Sequence, residues 1–241
     1  MRYIKKHPET PEVQEYAEEL KTQHLDEAGI LNSAEYADWT GSQLYEKVRE
    51  LETLPAVKQQ LFREQGGVCC YCGMKLEYPF DPQYRLEHVS PKDKHRELVG
   101  EYKNLLLSCR ANREETELRD KSAKRDRKKY IHCDEAKGAE ELNYSPLDKS
   151  CESAFTYTLD GKINCKDKLA EKDMITLGLD GPYLTNRRKS AIESLFIDDD
   201  LLSEEYLNAF KEGLQKRDAN GNYSEFYFVL IDAINQLLPA V

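Results

Sequence analysis

The chain has 241 residues, with 45 acidic and 35 basic side chains and a formal net charge of −10. That length holds one domain with large additions or two small ones, and 39% hydrophobic residues are enough for a core beneath a heavily charged surface. The acidic balance excludes a free-standing, non-specific nucleic-acid coat protein, because such binding rests on neutralising phosphates; the 10% aromatic content excludes a disordered chain.

In chain order, Met1-Arg2-Tyr3-Ile4-Lys5-Lys6 opens without an apolar run behind it, which argues against a secretory leader. No later apolar stretch approaches the roughly 20 residues that span a bilayer. The expectation is a cytoplasmic protein with no membrane association. The first sixty residues read as helical and acidic. Leu44, Val48 and Leu51 fall on one helical face. Pro55 suits the first turn of a second run over 55–65, and Gly66-Gly67 suits its end.

From Val68 the texture changes. Cys69-Cys70-Tyr71-Cys72-Gly73 holds a C-x-x-C pair, whose two thiolates can reach one Zn²⁺ at about 2.3 Å from a tight turn. Seven cysteines in a reducing compartment argue against a disulfide framework. Cys109 and Cys133 are the candidates to complete a tetrahedral site. Cys70 reads as a packed bystander, and Cys151 and Cys165 as small buried residues. A redox use of Cys69 and Cys72 is the competing reading of the pair.

Arg85-Leu86-Glu87-His88-Val89 alternates like a short strand and stops at Pro91. Leu105-Leu106-Leu107 is a short buried run of ambiguous type. Residues 110–129 carry nine basic and five acidic side chains, a local balance of +4. Such a run reads as a solvated helix face or as a footprint for phosphate. Further on, 155–159 and 162–165 flank Asp160-Gly161 as a hairpin. Helices are expected over 168–177, 186–196, 202–216 and 224–238, with Ser203 and Ser224 as N-caps. Phe226, Leu230, Ile234 and Leu237 share one face of the last. His7, His24 and His95 read as exposed.

Cys69-x-x-Cys72, Glu87-His88-Val89-x-Pro91-Lys92, Asn104-Leu105 and Cys109 stand in the order of an HNH nuclease, and the chain resembles that superfamily. Met1-Arg2-Tyr3-Ile4-Lys5-Lys6, Tyr102-x-Asn104-Leu105-Leu106-Leu107-Ser108-Cys109, His132-Cys133-Asp134-x-x-Lys137-Gly138 and Phe155-x-Tyr157-x-x-x-Gly161-x-Ile163 narrow the resemblance. Together they look like the PtuB-type HNH endonucleases, effector subunits of Septu antiphage systems, some of which accompany retrons. The resemblance covers most of the chain and is most specific from Cys69 to Gly138.

The resemblance implies an α+β, mostly helical protein with a zinc-stapled ββα-metal (HNH) core over 67–140, including a charged insertion. Residues 1–66 would form an N-terminal helical segment. Residues 141–241, a hairpin plus helices, would dock a partner. His88 would be the general base, Glu87 a ligand to catalytic Mg²⁺ or Mn²⁺, and Asn104 the residue that holds the loop and orients the base. Cys69, Cys72, Cys109 and Cys133 would hold structural Zn²⁺. The chain departs from the family pattern after Cys109, where a second C-x-x-C is missing. Asp134 is ranked first for the third metal-facing position, ahead of Asn112 and His132. A metal-dependent phosphodiesterase acting on nucleic acid follows, with DNA favoured and structured RNA such as tRNA the alternative. A PtuA-like ABC/SMC-type ATPase is the implied partner, and a retron reverse transcriptase with its msDNA would be further ones. The competing reading from another class is a non-catalytic zinc scaffold.

Overall fold

The computed structural model describes residues 1–24, 36, 38–76, 84–111, 113–196 and 203–239. The protein is α+β and mostly helical. Three helices open it: α1 (Pro11–His24), α2 (Gly41–Glu50) and α3 (Leu54–Gln65). Thr40 caps α2 through a capping box with Gln43, which satisfies two of the amides left free at a helix start. The apolar stripe read from the sequence is buried: Leu44, Val48 and Leu51 are each at most 2% exposed. Helix α3 begins with Pro55 in its first turn and ends on Gly66 in the left-handed region, as expected.

The chain then makes a knuckle over 66–76, closed by a bridge between Val68 and Lys75. Gly73 has φ +81° and lies against Phe228; a Cβ there would come within 2.6 Å of that ring. Only glycine meets both conditions. Strands β1 (Tyr84–His88) and β2 (Leu105–Cys109) pair antiparallel, with Leu86 opposite Leu107 and His88 opposite Leu105. All five residues of β2 are buried, which settles the Leu105–Leu107 run as a central strand. Gln65, at the end of α3, stitches this strand to the knuckle. Its amide donates to the carbonyls of Val68 and Leu107 at 2.8 Å and accepts from the Leu107 N–H at 2.7 Å.

The charged stretch forms α4 (Arg113–Lys121) and a 3₁₀ turn (Lys124–Tyr130), followed by the four-residue α5 (Asp134–Lys137). The expected hairpin is β3 (Phe155–Tyr157) with β4 (Ile163–Cys165). Helices α6 (Lys168–Thr176), α7 (Pro182–Glu193), α8 (Glu204–Leu214) and α9 (Tyr227–Leu237) complete the fold. Ser203 caps α8 by accepting from the Tyr206 N–H; the neighbouring position 202 lies outside the described residues.

Two expectations are corrected. Helix α7 starts at Pro182, four residues before the expected start at 186, because proline's fixed φ suits a first helical position. Ser224 is not the cap of α9. Phe226 takes that place at φ +56°, fully buried, with its N–H donated to the Gly73 carbonyl at 2.9 Å. Tertiary burial against the knuckle outweighs the local capping preference. Cys165 is also less buried than expected; its thiol rests on the Met174 sulfur at 3.6 Å. A continuous apolar core runs from Met1 through the β1–β2 hairpin to Ile234.

Replacing Gln65 tests the stitch. Gln65→Ala leaves the buried N–H of Leu107 without its partner, and a loss of about 1–3 kcal/mol is expected. The check is a urea titration, read as a lowered midpoint at unchanged slope.

Candidate functional site

Cys69, Cys72, Cys109 and Cys133 converge, with their sulfurs all within 4.8 Å of one another. Cys69 to Cys133 is 3.8 Å and Cys72 to Cys109 is 3.6 Å. A tetrahedron with about 2.3 Å Zn–S bonds has edges of about 3.8 Å, so the spacing fits a tetrathiolate ion. The knuckle prepares these sulfurs to carry charge: the Cys109 N–H points at the Cys69 sulfur at 3.3 Å and the Met74 N–H at the Cys72 sulfur at 3.5 Å. Burial alone would raise the Cys69 thiol, but hydrogen bonds from Cys109 and Cys133 outweigh it and hold it well below its ordinary value. Burial pushes the Cys72 and Cys133 thiols up, and hydrogen bonds to Cys69 and Cys72 together with burial push up that of Cys109, so a cation among the four sulfurs is what would hold them all as thiolates. Cys70 is buried beside the cluster, its N–H donated to the Leu107 carbonyl; its thiol hydrogen-bonds that of Cys69, but it is not one of the four converging sulfurs.

The four sulfurs come from three places: the knuckle, the end of β2 and the residue before α5. Cys133 itself lies at φ +58° and ψ −133°, costly for a residue with a side chain. Its N–H is donated to the Leu177 carbonyl at 2.7 Å, so the end of α6 helps to hold it there.

Next to the cluster, β1, α5 and the first helices line an open pocket of about 610 Å³ that contains Glu87, His88 and Asp134. Glu87 is 2% exposed. Its Oε1 accepts from the Tyr71 hydroxyl and from the Lys137 ammonium, both at 2.7 Å. Burial, with Asp134 alongside, raises the Glu87 carboxyl; Lys137 opposes them. His88 is 5% exposed, and burial pushes its ring down to about 4. Its Nε2 lies 2.9 Å from the Val99 carbonyl. A carbonyl only accepts, so Nε2 carries the proton and the Nδ1 lone pair is left open. The Tyr45 ring stands edge-on to the imidazole at 5.0 Å.

Asn104 does not line the pocket. Its Oδ1 accepts from the Ser90 N–H at 2.7 Å, and its Nδ2 donates to the carbonyls of Ser90 and Leu98. It ties down the two ends of the loop whose Val99 carbonyl sets the His88 ring. Asp134 lies at the start of α5, its N–H donated to the Ser108 hydroxyl at 3.2 Å and its carboxylate 3.3 Å from Arg85. His132 turns the other way. Its Nδ1 is 3.2 Å from the Cys133 sulfur, and its Nε2 is 2.5 Å from the fully buried Glu115 of α4. His132 therefore supports the thiolate cluster rather than the pocket. Asn112, the other competitor, lies outside the described residues. Glu87 and Asp134 offer hard oxygen donors in a cleft open to water, a set that fits Mg²⁺ or Mn²⁺.

Sequence reasoning missed Tyr71, Tyr45 and the role of Lys137. The spacing Asp134-x-x-Lys137 was a signal for the last, since three residues on a helix put both side chains on neighbouring positions of one face. Tyr71 and Tyr45 carried no periodic signal toward the site. His7 pairs with Glu9, and His95 lies between Glu97 and Glu141, both at the surface; the side chain of His24 lies outside the described set.

No family model matches the chain. A protein from Vibrio cholerae serotype O1 biovar El Tor, named "Retron Vc95 putative HNH endonuclease", is 30% identical over 149 residues. The match takes in 58% of this chain and 64% of the relative, less than two thirds of the relative's own length.

The cluster predicts metal content. Purified protein is expected to carry one zinc per chain by inductively coupled plasma mass spectrometry, retained through dialysis. Cys72→Ser is expected to lose most of it and to lower the thermal transition. A zinc-free, fully folded wild type would refute the assignment.

Proposed function

We propose that this chain is an HNH endonuclease that hydrolyses phosphodiester bonds of nucleic acid. The carrying observation is that His88, Glu87 and Asp134 line one open pocket beside a four-thiolate cluster. The similarity to a retron-associated protein with HNH endonuclease in its name points the same way.

In this reading the thiolates hold structural Zn²⁺. His88 is the general base: with Nε2–H fixed on Val99, its Nδ1 accepts a proton from the water that attacks phosphorus. Burial keeps the ring neutral and ready to accept. Glu87 and Asp134 would hold Mg²⁺ or Mn²⁺, which when bound stabilises charge on the phosphate and the leaving oxygen. Tyr71 and Lys137 orient Glu87. Asn104 acts through the loop, as a positioning residue.

The finer identity belongs to the same proposal. The motifs are those of a PtuB-type effector of Septu defence, with a PtuA-like ATPase as partner. The relative's name supports a retron setting, in which a reverse transcriptase and msDNA would join the complex. DNA is the favoured substrate and structured RNA the alternative. Residues 191–241 carry ten acidic and three basic side chains, a poor surface for nucleic acid and a plausible one for a partner. Among the described residues no helix is long and apolar enough to cross a membrane. We place the protein in the cytoplasm.

The test incubates wild type and His88→Ala with Mg²⁺, plasmid DNA and total cellular RNA, with and without the ATPase. Cleavage is expected to fall at least about a hundredfold in His88→Ala. Asp134→Asn is expected to weaken Mn²⁺ binding while keeping zinc, whereas His132→Gln is expected to weaken zinc retention and, through Cys133 and α5, Mn²⁺ binding with it. If His88→Ala protects against phage as well as wild type does, the zinc-scaffold reading replaces this one. For the partner, charge reversal on the exposed face of α8, Glu204→Lys/Glu205→Lys/Glu212→Lys, is expected to weaken capture of the ATPase in a pull-down; unchanged capture would remove this face from the interface.

A further inference from the structure

The wall of the pocket opposite α5 is built by the N-terminal helices, outside the motif residues. Helix α2 meets the motif loop at Gly41, where a Cβ would fall 1.9 Å from the Lys92 carbonyl oxygen. Only a glycine permits that approach. The adjoining Ser42 donates its N–H to Asp93 at 2.9 Å and its hydroxyl to the same carboxylate. This joint fixes the rotation of α2. Four-residue steps from Gly41 then bring Tyr45 and Arg49 to the pocket. Lys58 enters from α3, and Lys92 from the loop after β1.

The charges here are unevenly answered. Each acid of the pocket is engaged: Glu87 by Lys137 and Tyr71, Asp134 by Arg85, Glu135 by Arg85 and Arg119, and Asp93 by Ser42. Lys58 and Lys92 have no acidic partner among the described residues. Lys92 is half-buried, 5.6 Å from the centre of the Tyr45 ring, and its charge is felt at His88. Lys58 is half-buried too; burial and the neighbouring Arg49 both disfavour its charged form. Arg49 is answered by Glu46 at 2.9 Å along its own helix, but in a chain with ten more acids than bases no carboxylate is supplied to Lys58 or Lys92. Cations packed together and half desolvated are stabilised by an anion between them.

We propose that Lys58 and Lys92, with Arg49 at the rim, clamp a backbone phosphate of the substrate strand next to the one attacked at His88. The inference rests on the nuclease reading and deepens it. The clamp reads charge and not bases, so it contributes affinity and register without sequence preference. It also gives the N-terminal helices a functional role, and it supplies a local phosphate site on a protein whose overall charge repels nucleic acid.

The test measures binding, so it does not depend on turnover. Fluorescence anisotropy follows a labelled 20-bp DNA duplex, and in a second arm the RNA duplex of the same sequence. The background is His88→Ala, with the His88-intact chain without added divalent metal as the second. Lys58→Gln/Lys92→Gln is compared with Lys168→Gln/Lys172→Gln, an equal charge change on α6; circular dichroism and zinc content verify folding. In the arm that binds tighter, the clamp variant is expected to raise Kd at least tenfold. It should also flatten the log K against log salt slope by about 1.8 for the DNA duplex, as for two lost phosphate contacts. The control pair is expected to stay within twofold of its parent. Equal loss in both pairs, no loss in the clamp pair, or no binding by the parent in either arm overturns the clamp. Cleavage assays on the same proteins separate the two ideas. Cleavage that persists with unaltered binding refutes the clamp and leaves the nuclease. A clamp-dependent Kd without any metal-dependent cleavage refutes the nuclease and leaves an anion site.

Discussion

The convergence of four thiolates is the constraint on which the rest depends. Cys69 and Cys133 are 64 positions apart in sequence and 3.8 Å apart at their sulfurs. Their meeting pins the knuckle, the β1–β2 hairpin and α5 to a common point. Helix α5 has four residues, too few to be stable alone, because nucleating one turn fixes several residues for a single hydrogen bond. It is held at its start by Cys133 and along its length by Lys137, which donates to the His88 carbonyl and pairs with Glu87. The carboxylate of Asp134 is therefore placed by the cysteine beside it, and the geometry of the pocket depends on the cysteine cluster.

Around this point the buried polar groups are arranged as pairs. Lys137 and Glu87, each 2% exposed, would be costly alone, and together they cancel most of each other's charge. His132 and Glu115 form a second pair on the far side of the cluster, stacked against Tyr183 of α7. Through Glu115 the charged helix α4 is anchored beside the cysteine cluster, so this segment is part of the support of the cluster and not a loop hung on the surface. Arg119, binding Glu135, fastens the other end of the same helix to the pocket rim.

Much of this was legible in the sequence, and the reason varies by element. Helix α2 carried its apolar stripe, and α3 its proline start and glycine stop. The Asp160-Gly161 hairpin needed only its turn. The four cysteines and the Glu87-His88 dipeptide are chemically distinctive, so they could be read without knowing where they meet. What could not be read depends on tertiary contact. Phe226 displaces Ser224 as cap because the Gly73 carbonyl waits for its N–H. Gln65 looks like any polar helix residue until β2 passes beneath it. His132 and Asp134 differ by two positions in sequence, yet the intervening Cys133 at positive φ sends one to the thiolates and the other to the pocket.

The sequence separation within the site also sets an order of events during synthesis. Asp134 follows His88 by forty-six positions. At about 5–20 residues per second, a ribosome needs roughly 2–9 s to pass from one to the other. During that interval the nascent chain holds His88 and Glu87, but neither Cys133 nor α5. An unfinished or prematurely terminated chain therefore lacks the half of the pocket that Cys133 delivers. The four-cysteine cluster and the complete pocket arise only in molecules whose translation has run well past the hairpin, so chains released earlier lack both.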